Sequence, residues 1–205
     1  MQYCFHARIA IIRNPKLLLF LAQLPAAPSS ARVSLWRRLR SAGAASLLNG
    51  AWVLPRTREH INFFSQLTKS VRAQRGTAQV LAIQETNKAE LQKLILLFQT
   101  DRIREYDEFE ERTRRFLAEI KREIRLRKFT FAELEEIEDD LEKLTAWLEK
   151  IRARDFFPDK PSRKASRTLK GCQLALKTFA KAVYAHEGIE ASDNQNGHQP
   201  KSNRY

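Results

Sequence analysis

The sequence predicts an α+β fold, a small β-containing domain followed by helices, and three observations carry that prediction. The stretch "LLLFLAQL", Leu17 to Leu24, is a nearly continuous apolar run of strand length. In "LLNGAWVLP", Leu47 to Pro55, Asn49-Gly50 sits between two short apolar runs, and both residues tolerate positive φ, which is a hairpin signal. From about Asn87 onward the apolar period becomes three to four residues, as in amphipathic helices.

Taken in order, residues 1–15 show no periodicity and read as a loose leader. Leu17–Leu24 reads as a buried strand. "PAAPSS" is a loop, and Ser29 or Ser30 should cap a helix beginning near Ala31. Val33, Trp36 and Leu39 share one face of that helix and should pack, while Arg32, Arg37, Arg38 and Arg40 take the remainder. Gly43 should end it. The hairpin strands are Ala44–Leu48 and Ala51–Leu54, joined by a type I′ turn and closed by Pro55. Thr57 should cap a helix whose apolar positions are Ile61, Phe64, Leu67 and Val71, with Gly76 at its end. Thr77–Ile83 is the last strand. The resulting order over residues 16–85, β-α-β-β-α-β, is the ferredoxin-like arrangement.

Residues 86–187 form a helical segment. Leu91, Leu94, Phe98, Tyr106, Phe109, Phe116, Ile120 and Ile124 lie along one long helix, continuous or broken. In "KFTFAEL", Thr130 and Glu133 make a capping box and Phe129 with Leu134 a hydrophobic staple. Leu134, Ile137, Leu141, Leu144, Leu148 and Ile151 then repeat as a seam. After the break "RDFFPDKP", Leu169, Cys172, Leu176, Phe179 and Val183 repeat it again, predicting an antiparallel bundle of about three helices. Residues 188–205 are polar and should be disordered.

The net charge of +13 is unevenly spread. Up to residue 85 there are 12 Lys/Arg against Glu59 and Glu85, whereas the rest of the chain holds 25 basic and 22 acidic residues. A basic domain joined to a balanced one points to an anionic partner, nucleic acid before membrane surface. Two distant cysteines, Cys4 and Cys172, are no disulfide framework, which fits a cytoplasmic protein. The competing reading is an export signal in "KLLLFLAQLPAAPSSA", residues 16–31. Nothing approaches the ~20 apolar residues of a membrane span.

Catalytic chemistry has little support. The four histidines stand in no metal-ligand spacing, so neither a metal nor a cofactor is implied. The acidic run Glu133–Glu142 reads as the solvated side of the leucine seam. No G-x-S-x-G or phosphate loop occurs, and "LAQLP" lacks the strand-end carboxylates that ferredoxin-like nucleases use. The chain is expected not to be an enzyme. The candidate DNA- or oxyanion-binding residues are Arg32, Arg37, Arg38, Arg40, Arg56 and Arg58, because arginine suits bidentate phosphate contact. An amphipathic helix that merely solvates its arginines is the competing reading.

The stretch "LLLFLAQLPAAPSSARVSLWRRLRSAGAASLLNGAWVLP" resembles the opening of the ChrB chromate-resistance regulators, and "FTFAELEEIEDDLEKLTAWLEKIRARDFF" resembles that family's helical segment. The resemblance covers roughly residues 17–187, the family's N-terminal domain, and the front part is similar in plan to PaaX-type repressors. It implies a transcriptional regulator that binds promoter DNA and releases it when chromate is present. Full members continue into a chromate-response domain where this sequence has a polar tail, so chromate sensing by this chain is left open. The alternative is an interaction module whose helical segment mediates homodimerisation or docks a separate partner.

Overall fold

The computed structural model describes residues 16–27, 29–83 and 87–188. In chain order the elements are β1 (Leu17–Gln23), α1 (Ser29–Ser41), β2 (Ala45–Leu48), β3 (Ala51–Pro55), α2 (Arg58–Ala73), β4 (Thr77–Ile83), α3 (Lys88–Leu126), α4 (Phe131–Arg152) and α5 (Lys160–His186). Among the described residues the fold is therefore α+β and mostly helical. Its four-stranded sheet has the order β2-β3-β1-β4, with every neighbouring pair antiparallel.

Strand β1 is apolar at nearly every position because both faces of the sheet are covered. On one face Leu18, Phe20, Trp52 and Leu54 meet Leu39 of α1 and Phe64, Leu67 and Val71 of α2. The rings of Phe20 and Phe64 stack at 5.0 Å. On the other face Leu17, Ala45 and Val53 meet Leu91, Leu94 and Phe98, all from the first turns of α3. Each such buried side chain contributes about 1.5–3 kcal/mol by area. The segment read as a break, "RDFFPDKP", joins this core: Phe156 sets its ring against His60 at 5.1 Å and Phe98 at 6.0 Å.

Helix α2 starts as expected, with the His60 N–H donating to Thr57 Oγ1 at 3.1 Å. Helix α3 is continuous over 39 residues, about 58 Å of helix at 1.5 Å per residue. At α4 the Glu133 N–H donates to Thr130 Oγ1 at 3.3 Å, while the Glu133 carboxylate pairs with Lys128. Phe129 lies against the rings of Phe179 and His186. Of the α4 seam, Leu134, Ile137, Leu144, Leu148 and Ile151 are buried, and so is Cys172 of α5.

Five local expectations are corrected. Helix α1 already includes Ser29 and Ser30, so neither serine is its cap. Its buried face is Leu39 with partly buried Leu35 and Ala42, whereas Val33 is 44% and Trp36 53% exposed. In the hairpin only Gly50 takes positive φ, +79°, so the turn is not type I′; a register shift between Ser46 and Leu48 accommodates the difference. At the end of α2 the left-handed residue is Arg75 (φ 59°), one position before Gly76, and Ile61 is exposed. The leader at 1–15 and the tail beyond 188 lie outside the described residues, as do Cys4, His6 and His198.

The chain forms two compact units. One comprises the chain up to Glu110 together with Ala146–Ser166, so it holds the sheet, α1, α2 and parts of the three long helices. The other comprises Glu111–Thr145 and the chain from Arg167. Among its buried residues are Phe116, Ile120, Leu134, Leu169, Phe179 and Val183.

Candidate nucleic-acid interface

The six candidate arginines fall into three situations. Arg37 and Arg38 line an open groove of about 420 Å³ with Ser41, Ala42 and Phe63, where α1 and α2 lie side by side. Both are exposed, and among the described residues neither forms an ion pair. Arg38 also borders a narrower cleft between the same helices, beside Ser34, Leu67 and Gln74. Arg37 and Arg38 lie in the last two turns of α1, and Arg38, in the final turn, also complements the helix dipole.

Arg32 and Arg40 are engaged. The Arg32 guanidinium donates to the carbonyls of Pro25, at 2.8 Å, and Ala26, so it braces the β1–α1 loop. Arg40 is ion-paired with Asp101 of α3, and its side chain is one-third exposed. The two partners stand 61 residues apart, a separation that no local sequence pattern encodes. Arg56 and Arg58 are exposed at the start of α2 and line neither groove. The Arg56 N–H donates to the Lys16 carbonyl at 2.8 Å. Of the other basic residues in this part, Arg72 donates to the Ala78 carbonyl at 3.3 Å and Lys69 is exposed.

Behind Arg40 lies a polar network that the amphipathic pattern concealed. Arg102, 4% exposed, donates to Glu105 at 3.1 Å, and Arg154 donates to the same carboxylate oxygen at 2.9 Å. Gly43 lets Arg154 approach, since a Cβ there would stand 2.9 Å from Arg154 Cβ. Tyr106 Oη donates to Asp155 at 2.8 Å. Burial raises the Asp155 pKa, and the Tyr106 hydrogen bond opposes that shift; burial also raises the Tyr106 pKa. His60 Nδ1 lies 2.6 Å from the Pro55 carbonyl, so it carries the proton and donates, and burial lowers its pKa. Among the described residues no cluster of His, Cys, Asp or Glu could hold a metal ion, and no helix is long and apolar enough to cross a membrane.

A family described as "Protein ChrB, N-terminal" matches residues 32–190, more than three-quarters of the chain. The chain belongs to that family. The ChrB match begins within the arginine helix and runs past the end of α5, so it takes in the α1–α2 groove and the network behind it. Membership associates the chain with chromate-resistance regulation. No curated protein matches it.

Proposed function

We propose that the chain is a DNA-binding transcriptional regulator of a chromate-resistance operon. It contacts phosphate through the α1–α2 groove, acts in the cytoplasm and performs no catalysis. The observation that carries this reading is the pair Arg37 and Arg38: two exposed guanidinium groups without ion-pair partners among the described residues, in a half of the chain with 12 basic and 2 acidic residues. The strand order β2-β3-β1-β4 supports a ferredoxin-like plan for the sheet, which places α1 and α2 side by side on one face.

The test is affinity for the chain's own promoter DNA at several salt concentrations. Each phosphate neutralised contributes about −0.9 to the slope of log affinity against log salt. Arg37→Ala with Arg38→Ala should weaken binding and make the slope shallower by up to ~2 units. Equal slopes and affinities would remove the groove from the argument.

A second reading is an interaction module acting with a separate chromate-response partner. The exposure of Val33 (44%) and Trp36 (53%) on α1 favours it. DNA affinity unaffected by the arginines, together with loss of partner capture in Trp36→Ala, would put this reading first.

A further inference from the structure

The two edges of the sheet are protected to different degrees. Strand β2 has only 4 residues and carries the register shift between Ser46 and Leu48, both devices that blunt an edge. Strand β4 has 7 residues, "TAQVLAI", with no charge and no proline, and it pairs in regular register with β1 from Leu17↔Ile83 to Gln23↔Thr77. Among the described residues no strand pairs with its outer side. Val80 is 38% and Leu81 47% exposed, one on each face of the strand.

Backbone geometry shows what that outer side presents. The Ala22 N–H donates to the Gly50 carbonyl at 2.8 Å, so the backbone groups of Ala22 point toward β3. Ala78, its partner across β1 and β4, is therefore a non-hydrogen-bonded pair member whose N–H and C=O point away from β1. By alternation Val80 and Ala82 point the same way. The Arg72 guanidinium on the Ala78 carbonyl agrees with this direction.

We propose that β4 is a dimerisation edge whose occupant is β4 of a second copy, antiparallel about a two-fold axis at Val80. That register sets Val80 opposite Val80, Ala78 opposite Ala82, Gln79 opposite Leu81 and Thr77 opposite Ile83, overlapping the whole strand. The outward N–H and C=O of Val80 then bond reciprocally, as a hydrogen-bonded antiparallel pair requires. An uncharged strand can meet itself without like charges opposed, although the surrounding half of the chain carries 12 basic and 2 acidic residues. The symmetric contact also closes: it consumes both unprotected edges and leaves a continuous sheet ending at each side in the blunted β2. Arg72 is released from Ala78 when the partner strand arrives.

The experiment uses the full chain. Sedimentation of the wild type should give a dimer. Val80→Lys should raise the dimer dissociation constant at least ~10-fold, because it opposes two like charges at the axis. Its circular dichroism should be unchanged, since residue 80 is exposed and its amide makes no bond within the sheet. Val80→Cys should form an intermolecular disulfide on mild oxidation, its Cα pair at about 5.5 Å, whereas Leu81→Cys, offset from its own copy by two residues, should not. If Val80→Lys fails to fold, the cysteine pair decides. A monomeric wild type would overturn the proposal, including one whose Val80 amide exchanges slowly because another segment of the chain covers the edge. So would a dimer indifferent to Val80→Lys, or equal crosslinking at residues 80 and 81.

Discussion

Replacing Gly50 with alanine tests the hairpin and its contact with the central strand together. Gly50 has φ +79°, a region that costs an L residue about 1–2 kcal/mol. An added Cβ would also stand 2.5 Å from the Ala22 carbonyl oxygen, a backbone atom that cannot swing aside. The turn must therefore move, loosening the 2.8 Å bond from Ala22 N–H to the Gly50 carbonyl, worth about 0.5–1.5 kcal/mol. With residual overlap the loss should be about 2–4 kcal/mol, a fall in melting temperature of roughly 4–16 °C for a chain of this size. Gly171→Ala is the control: it lies within α5, nothing stands within 4 Å of its added Cβ, and alanine should stabilise by about 0.5–1 kcal/mol. Far-UV circular dichroism during thermal and urea unfolding measures both, and hydrogen exchange at the Ala22 amide localises the effect. A Gly50→Ala protein with wild-type melting and unchanged Ala22 exchange would refute the reasoning.

Leu39→Ala should cost about 2–5 kcal/mol in urea unfolding, whereas Trp36→Ala should stay within about 0.5 kcal/mol, because only Leu39 is enclosed. Asp101→Asn should release Arg40 and, if the groove binds DNA, steepen the log-salt slope of binding by up to ~1 unit. His60 has a folded pKa below its unfolded value near 6.5, so the unfolded chain takes up the proton first as pH falls. Stability should therefore fall as pH drops through about 6.5 and below, and His60→Gln should show a shallower dependence in urea melts. Thr57→Ala should cost about 1 kcal/mol through loss of the α2 cap, read as a shift in the urea midpoint.

Local chemistry made much of the fold legible. The Leu17–Leu24 run, the Asn49-Gly50 turn and the Thr57 cap each report a backbone demand that a few neighbouring residues satisfy. On helix α1 two apolar rows compete. Val33, Trp36 and Leu39 recur every three residues; Leu35, Leu39 and Ala42 recur at four and three, and the bulk of Trp36 favoured the wrong row. The covering of the second sheet face by α3 was implicit in β1, whose residues are apolar at both odd and even positions. Of the six candidate arginines, only Arg37 and Arg38 meet at one groove. What separates Arg40 from them is Asp101, 61 residues away, and no local pattern encodes that distance. The charges at 101, 102 and 105 belong to an amphipathic helix, and periodicity cannot distinguish water from a partner arginine.

Glu105 offers a single carboxylate oxygen to two guanidinium groups, those of Arg102 and Arg154. Removing that acid alone would leave the buried Arg102 guanidinium facing the partly exposed Arg154 without the anion that pairs them. A neutral residue at 105 should therefore destabilise less where one of the two arginines is replaced as well. The three positions should therefore be coupled in energy, a change at one being offset by a change at another, an agreement of charge across the set. Recombining halves of diverged relatives between residues 105 and 154 would break that agreement, producing chimeras that inherit a mismatched set of charges from two sound parents.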